Sequence, residues 1–164
     1  MRLLLLLVLL CCSWPALAAD TVVVVVRHAE KAADDPRDPN LSEAGRQRAK
    51  ALAKALADAP LAAVYATGYR RTQQTAQPSA ALHGVEVQTL AAGREADGDA
   101  LRERIRKEHA GTTVLVVGHS NTVPAIVGAL SGKAAAAMAE DEFDRLSIVV
   151  LRDEGEPRLL VARY

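Results

Sequence analysis

Two histidines each follow a run of branched apolar residues, and this pattern is the strongest constraint on the fold. Residues 22–26 are all valine and lead directly into Arg27 and His28, and the run 114–117 leads, one residue later, into His119. An unbroken run of this kind indicates a strand that is buried on both faces, as in a parallel sheet. Open α/β sheets bind ligands at the carboxyl ends of their strands. We therefore expect two imidazoles and one guanidinium at a single site.

Strand and helix signals alternate along the rest of the chain. Ser42 offers an N-cap to one helix, Gly84 fits the end of a second, and Ser120 or Asn121 could cap a fourth. This alternation predicts a single three-layer α/β/α domain, with a largely parallel central sheet, over residues 19–164. We expect the last two strands to form a hairpin at one sheet edge. The predicted strands are 22–26, 61–66, 85–90, 113–117, 146–151 and 159–161, and the predicted helices are 42–57, 70–82, 101–109 and 123–130.

Residues 1–18 have the pattern of a signal peptide. Arg2 supplies a positive start, residues 3–10 are apolar, and Ala16 and Ala18 form a small-residue cleavage site. The alternative, a buried core helix, is disfavoured because the segment has no polar face and contains Pro15. The apolar run is too short to span a bilayer. We therefore predict cleavage after Ala18, a periplasmic or secreted protein, and no stable membrane insertion afterwards.

Both cysteines, Cys11 and Cys12, lie inside this leader. The mature chain then has neither a disulfide framework nor a thiolate metal site. A lipid anchor on Cys12 is the alternative, but residues 9–11 lack the small residue expected before such a cysteine.

Charge balance excludes some partners. Twenty acidic and twenty basic residues cancel, and aromatic residues make up only 3% of the chain. Neither a nucleic-acid footprint nor a polybasic membrane patch is present. Any positive potential used on a substrate is therefore local and comes from particular arginines.

The residues near the strand ends suit phosphoryl chemistry. The guanidinium of Arg27 can hold two phosphoryl oxygens, and a neutral His28 can attack phosphorus if its other ring nitrogen is fixed. The alternative for this pair is a solvated strand end.

Arg70 and Arg71 lie in the first turn of a predicted helix, where cations oppose the helix dipole, so an anion is expected nearby. We expect Arg70 to extend into solvent and Arg71 to meet the anion. His119 could stabilise phosphoryl charge, or simply cap a helix.

These segments resemble motifs of the histidine phosphatase superfamily, which includes cofactor-dependent phosphoglycerate mutases and histidine acid phosphatases. Residues 26–31 resemble its opening Arg-His-Gly motif, with Ala29 in place of the glycine. Residues 41–49 are similar to its L-S-x-x-G-x-x-Q/R-A helix start, 71–76 to its R-A/T-x-Q-T-A element, and 118–121 to its second histidine motif. The four segments occur in the family's order, and the chain has the size of the small single-domain branch.

The resemblance implies a phosphoglycerate mutase-like fold and a role for each matching residue. His28 would be the nucleophile that becomes phosphohistidine, and Arg27, Arg71 and His119 would surround the phosphoryl group. The partner would be a small phosphorylated substrate, and water would complete a two-step transfer with no metal and no cofactor. The resemblance does not indicate whether the protein is a monomer or an oligomer.

The general acid of this family does not carry over cleanly. Many members place a carboxylate shortly after the third strand, to protonate the leaving group. Glu95 is the first candidate here, with Asp97 and Glu30 as further ones, and each could instead be a solvated loop residue. An enzyme without this acid would favour good leaving groups.

The residues leave three functions open. An exported phosphatase is favoured, and an inactive relative that binds a phosphorylated envelope ligand is the alternative. A mutase is disfavoured because the chain lacks the long insertions that enclose a mutase's substrate. We expect His83 and His109, at predicted helix C-termini, to be structural, since a cation suits the dipole there.

Overall fold

The computed structural model describes residues 19–90 and 97–164. The predicted signal peptide and Glu95 lie outside these residues and stay predictions. The elements are, in chain order, β1 (Thr21–Arg27), α1 (Glu43–Ala55), β2 (Leu61–Thr67), α2 (Arg70–His83), β3 (Val87–Leu90), α3 (Gly98–Glu108), β4 (Thr113–Gly118), α4 (Val123–Ser131), β5 (Arg145–Leu151) and β6 (Arg158–Arg163).

The strands form one sheet in the order β3-β2-β4-β1-β5-β6. The first four strands of this order are mutually parallel, whereas β5 runs antiparallel to β1 and β6 antiparallel to β5. The predicted α/β class, the largely parallel sheet and the edge hairpin are therefore confirmed.

The sheet is covered on both faces, which gives the predicted three layers. Alternate valines of β1 point to opposite sides: Val23 and Val25 pack with residues of α3 and α4, and Val24 and Val26 pack with residues of α1 and α2. These four side chains are at most 3% exposed. The valine run is thus buried on both faces because helices lie above and below it.

Predicted boundaries differ from the structure by one to three residues at several elements, and hydrogen bonds at helix caps explain the clearest two. Strand β3 begins at Val87 rather than at residue 85, because the N–H of Val85 donates to the carbonyl of Ala80 and completes the C-terminal cap of α2 around Gly84. Helix α3 begins at Gly98 rather than at residue 101, since the Asp97 carboxylate accepts a hydrogen bond from the N–H of Ala100.

A further correction concerns the start of α4. The N-cap residue is Thr122, neither Ser120 nor Asn121, and its hydroxyl accepts a hydrogen bond from the N–H of His119. The cap position therefore ties the helix start to the second histidine. A Cβ on Gly118 would lie 2.9 Å from the Thr122 hydroxyl oxygen, so a side chain at position 118 would displace this cap.

Candidate active site

A cavity of about 840 Å³ opens beyond the carboxyl ends of β1, β2 and β4. Arg27, His28, Arg71 and His119 all line it. The parallel pairing of β1 with β4 sets Arg27 opposite Gly118, so the residues that follow each strand are neighbours. The structure therefore brings the four predicted residues to one place.

The ring of His28 is fixed in one orientation. Its Nδ1 lies 2.8 Å from the carbonyl oxygen of Ala29, and because a carbonyl can only accept, Nδ1 carries the hydrogen. In the neutral ring the lone pair is then on Nε2. Burial lowers the pKa of His28 to about 4, and the nearby charges of His119, Arg71 and Arg27 act in the same direction. His28 is therefore neutral near pH 7, as a nucleophile must be.

His119 faces His28 across the cavity. The two rings are 5.3 Å apart between centroids at an interplanar angle of 66°. The Nε2 of His119 lies 3.0 Å from the hydroxyl oxygen of Thr67, and its Nδ1 lies 3.5 Å from Nη2 of Arg71. The second histidine is thus held between the end of β2 and the start of α2.

Arg70 and Arg71 occupy different environments. The Arg71 side chain is 16% exposed and lines the cavity, whereas that of Arg70 is 56% exposed and does not. Asp38 accepts a hydrogen bond from the N–H of Arg70 at 2.8 Å and lies 3.8 Å from Nη1 of Arg71. The anion expected at this helix start is therefore supplied in part by the chain itself. The guanidinium of Arg71 also lies 4.4 Å from the Tyr69 ring centroid.

Arg27 is held by a segment far away in the sequence. Its Nη1 donates to the carbonyl oxygens of Ala139, Glu140 and Glu142, at 2.9, 2.9 and 3.2 Å. The ring of Phe143 lies against the guanidinium, with 4.2 Å between its centroid and Cζ. Sequence reasoning missed this segment because no motif precedes it and more than 110 positions separate it from Arg27.

The other motif residues support the loop that carries His28. Gly45 packs so closely on this loop that a Cβ would lie 2.2 Å from the carbonyl oxygen of Glu30. The Thr75 hydroxyl accepts a hydrogen bond from the N–H of Ala29 at 3.0 Å. Ala29 itself is fully buried, in a cluster with Leu41 and Ala49. The helix-start and Q-T-A motifs therefore fix the position of His28 through the backbone of its loop.

The two acid candidates among the described residues, Asp97 and Glu30, form hydrogen bonds away from the cavity. The Asp97 carboxylate caps α3. Both oxygens of Glu30 accept hydrogen bonds from Arg48, at 2.7 to 2.9 Å. Burial would raise the pKa of Glu30, but the bonds from Arg48 outweigh it and lower this pKa, which keeps the group ionised. Neither residue lines the cavity, so the structure gives no support to either as the acid that protonates a leaving group.

The cavity rim contains charged residues that sequence reasoning did not single out. Lys31, Asp35, Arg37 and Glu140 all line it. The loop after β1 contributes Asp35, Pro36, Arg37 and Pro39 to the lining. The Asp35 carboxylate accepts hydrogen bonds from the N–H groups of Arg37 and Asp38, which lower its pKa and fix the turn. Lys31, Asp35 and Arg37 lie in the loop that follows β1, whereas Glu140 lies between α4 and β5 and had no signal in the sequence.

The two remaining histidines lie at helix ends, as expected. His83 is the last residue of α2, and its Nε2 lies 3.0 Å from the carbonyl oxygen of Leu56. His109 is the C-cap of α3, and its Nε2 lies 2.9 Å from the Tyr65 hydroxyl. Both side chains bond to structural neighbours away from the cavity.

Two searches of the described residues gave negative results. Within 19–90 and 97–164, no group of three or more His, Cys, Asp or Glu residues is arranged to hold a metal ion. In the same part of the chain, no helix combines the length and apolar character that crossing a membrane requires.

A protein-family model matches the first part of the chain. Residues 23–102 match the family model of the histidine phosphatase superfamily (branch 1). These residues contain the first histidine motif, α1 and the Arg71 element. No match was found among curated proteins.

Several solved structures share the fold. The protein histidine phosphatase SixA, in a complex with tungstate, superposes with a TM-score of 0.72 at 19% identity, covering 87% of this chain and 96% of SixA. A mycobacterial glucosyl-3-phosphoglycerate phosphatase gives 0.70 at 16% identity, covering 88% of this chain and 99% of its own. Phosphoserine phosphatase from Entamoeba histolytica gives 0.67 at 14% identity, covering 88% and 97%.

The sequence match and the shared architecture agree. The chain resembles the histidine phosphatase superfamily over residues 23–102, and its fold is the phosphoglycerate mutase-like fold of these small single-domain structures.

Proposed function

We propose that this protein is an exported, metal-independent phosphatase that hydrolyses a small phosphomonoester through a phosphohistidine at His28. The observation that carries the proposal is the state of the His28 ring, which is neutral, buried and bonded through Nδ1 to Ala29, inside a cavity shared with Arg27, Arg71 and His119.

The first step forms the phosphoenzyme. The lone pair on Nε2 of His28 attacks phosphorus, an Nε2–P bond forms, and the P–O bond to the leaving group breaks. Arg27, Arg71 and His119 stabilise the negative charge on the phosphoryl oxygens, which is the main contribution a protein makes to this reaction. The leaving oxygen takes a proton from solvent or from an acid, for which Glu95 stays our prediction.

The second step regenerates the enzyme. Water attacks phosphorus, the Nε2–P bond breaks, and its electron pair returns to the ring as inorganic phosphate leaves. The same cationic groups stabilise both transition states because the phosphoryl group stays in place while its two partners exchange.

The charge of the rim favours an anionic substrate. Lys31 and Arg37 line the cavity and, within the described residues, neither side chain lies in an ion pair with a carboxylate. The solved relatives are named for phosphohistidine, phosphoserine and a sugar-linked phosphoglycerate. We infer a small phosphomonoester or phosphohistidine substrate for this chain too, and export places that substrate outside the cytoplasm.

Acid-quench labelling tests the mechanism. The mature protein is exposed briefly to a ³²P-labelled phosphodonor, quenched, and analysed for phosphate that is acid-labile and base-stable. We expect label on the wild type and none on His28→Ala, which should also fail to hydrolyse p-nitrophenyl phosphate. An unlabelled wild type that still binds phosphate would instead favour the inactive binding protein.

Export is tested separately. Full-length protein is expressed in a bacterial host, the cells are fractionated, and the N-terminus of the product is sequenced. We expect a periplasmic or secreted protein that begins at Ala19. An uncleaved cytoplasmic product, or one that carries lipid on Cys12, would contradict this part of the proposal.

A further inference from the structure

The environment of Arg27 is unusual for a residue that only stabilises the fold. The residue is 5% exposed, and burial lowers the pKa of Arg27. The nearest carboxylate oxygen, on Glu140, is 3.7 Å from Nη2, and the Glu140 side chain is 94% exposed. The Nε of Arg27 is buried and has no hydrogen-bond partner among the described residues. A buried cation without a close ion pair and with an unpaired donor is destabilising, so its orientation needs a functional reason.

The contacts of Arg27 are distributed unevenly over its nitrogens. Nη1 donates to three carbonyl oxygens of the segment 139–142, which leaves it no capacity for a ligand. The Phe143 ring covers one face of the guanidinium at 4.2 Å. Among residues 19–90 and 97–164, Nη2 has one polar contact, the loose one with Glu140 at 3.7 Å. The guanidinium is therefore held at Nη1 by hydrogen bonds and on one face by the Phe143 ring, whereas Nη2 can still donate to a ligand in the cavity.

Phe143 also contacts the nucleophile. Its ring centroid lies 6.3 Å from that of His28, at an angle of 51°. One aromatic side chain therefore packs against both the cation and the imidazole that we assign to the phosphoryl group. It belongs to the segment that joins α4 to β5, outside every motif of the sequence analysis.

We propose that the segment 139–143 is a clamp that aims Nη2 of Arg27 at the phosphoryl group, and that Phe143 is its positioning residue. The inference rests on the proposed function only in taking a phosphoryl group as the ligand of Arg27. Without the ring, the guanidinium would keep its carbonyl partners but could rotate about its side-chain bonds. Binding of the phosphoryl group would then have to order it again.

The test compares three variants by their affinity for inorganic phosphate, measured by calorimetry on the mature protein. Phe143→Leu removes the ring, Phe143→Tyr keeps it, and Tyr164→Leu is a matched control at an aromatic residue that does not line the cavity. We expect Phe143→Leu to raise the Kd for phosphate about tenfold, as loss of a buried cation–π contact implies. The other two variants should stay within about twofold of the wild type. An unchanged Kd in Phe143→Leu would overturn the proposal.

A second measurement uses the wild type alone, so that misfolding of a variant cannot obscure the result. In ¹⁵N NMR spectra the Arg27 Nε–H signal, assigned by its loss in Arg27→Lys, should be sharp and resolved before phosphate is added, because the clamp already holds the side chain. It should shift on phosphate addition. A signal averaged with those of the exposed arginines would refute the clamp. Neither measurement needs turnover, so a protein that binds phosphate without hydrolysing esters would refute the proposed function and leave this inference intact.

Discussion

The ring of His28 lies 5.3 Å from the ring of His119 although 91 positions separate the two residues, and the register of the sheet is the reason. Arg27 at the end of β1 pairs with Gly118 at the end of β4, and the N–H of His28 donates to the carbonyl of Gly118. Two adjacent parallel strands that end at the same level present their next residues side by side. The distance leaves room for one phosphoryl group near both imidazoles.

The two arginines at the start of α2 should differ in their importance. Arg71 lines the cavity, so Arg71→Ala removes a cation from the phosphoryl group and should lower kcat/KM for p-nitrophenyl phosphate by about 10² to 10³. Arg70 is largely exposed, and Arg70→Ala should cost less than about threefold. Steady-state kinetics on both variants check this. Equal losses would mean that the assignment of Arg71 is wrong.

The stability of the fold should fall on mild acidification because of His28. Its pKa is about 4 in the folded protein and about 6.5 in an unfolded chain, so the unfolded state binds the proton first. Stability from this group is complete above pH 6.5 and is lost as the pH falls from about 6.5 to 4. The loss amounts to roughly 3.5 kcal/mol at most, from about 1.4 kcal/mol for each unit of pKa difference.

Urea unfolding of the wild type and of His28→Asn at several pH values measures this effect. The difference in unfolding free energy between the two proteins should shrink across that window, because asparagine does not titrate. A difference that stays constant from pH 7 to pH 4 would show that the imidazole is not desolvated as the structure indicates.

Gly45 should tolerate no side chain. A Cβ there would lie 2.2 Å from the Glu30 carbonyl oxygen, and the backbone on both sides is fixed by the contact of α1 with the His28 loop. Gly45→Ala should therefore lower the free energy of unfolding by about 1 to 3 kcal/mol, despite the higher helix propensity of alanine.

Gly128 in α4 provides the matched control. The nearest atom to a Cβ there is 3.6 Å away, which is an ordinary contact. Gly128→Ala should leave stability unchanged or raise it by up to about 1 kcal/mol. Denaturant titration of both variants decides the matter, and destabilisation by Gly128→Ala alone would contradict our view of the two helices.

Hydrolysis should persist in EDTA. Arg27 and Arg71 supply the positive charge that a divalent cation provides in many other phosphoryl-transfer enzymes. The rate of p-nitrophenyl phosphate hydrolysis should change by less than about twofold after dialysis against chelator. A complete loss that Mg²⁺ or Zn²⁺ restores would require a different mechanism.

The α/β fold and most element positions could be predicted from local patterns. The valine run at 22–26 and the alternation of strands with amphipathic helices follow from burial and helix periodicity, and the structure confirms both. The errors lie where a backbone group forms a cap. Val85 completes the end of α2 and Asp97 caps the start of α3, each through a hydrogen bond that propensity does not encode. Thr122 is the N-cap residue of α4, and its hydroxyl accepts a hydrogen bond from the N–H of His119 rather than from the helix.

The sequence by itself determined which residue types meet at the cavity, because a guanidinium and an imidazole at the ends of buried parallel strands lie at the same edge of the sheet. Only the tertiary structure decided how those groups are held. The Ala29 carbonyl fixes the tautomer of His28, Arg48 removes Glu30 from the chemistry, and the segment 139–143 holds Arg27. The physical reason is separation along the sequence. Strand burial can be predicted from the pattern of neighbouring residues, whereas hydrogen bonds and packing between residues more than 110 positions apart form only when the chain has folded.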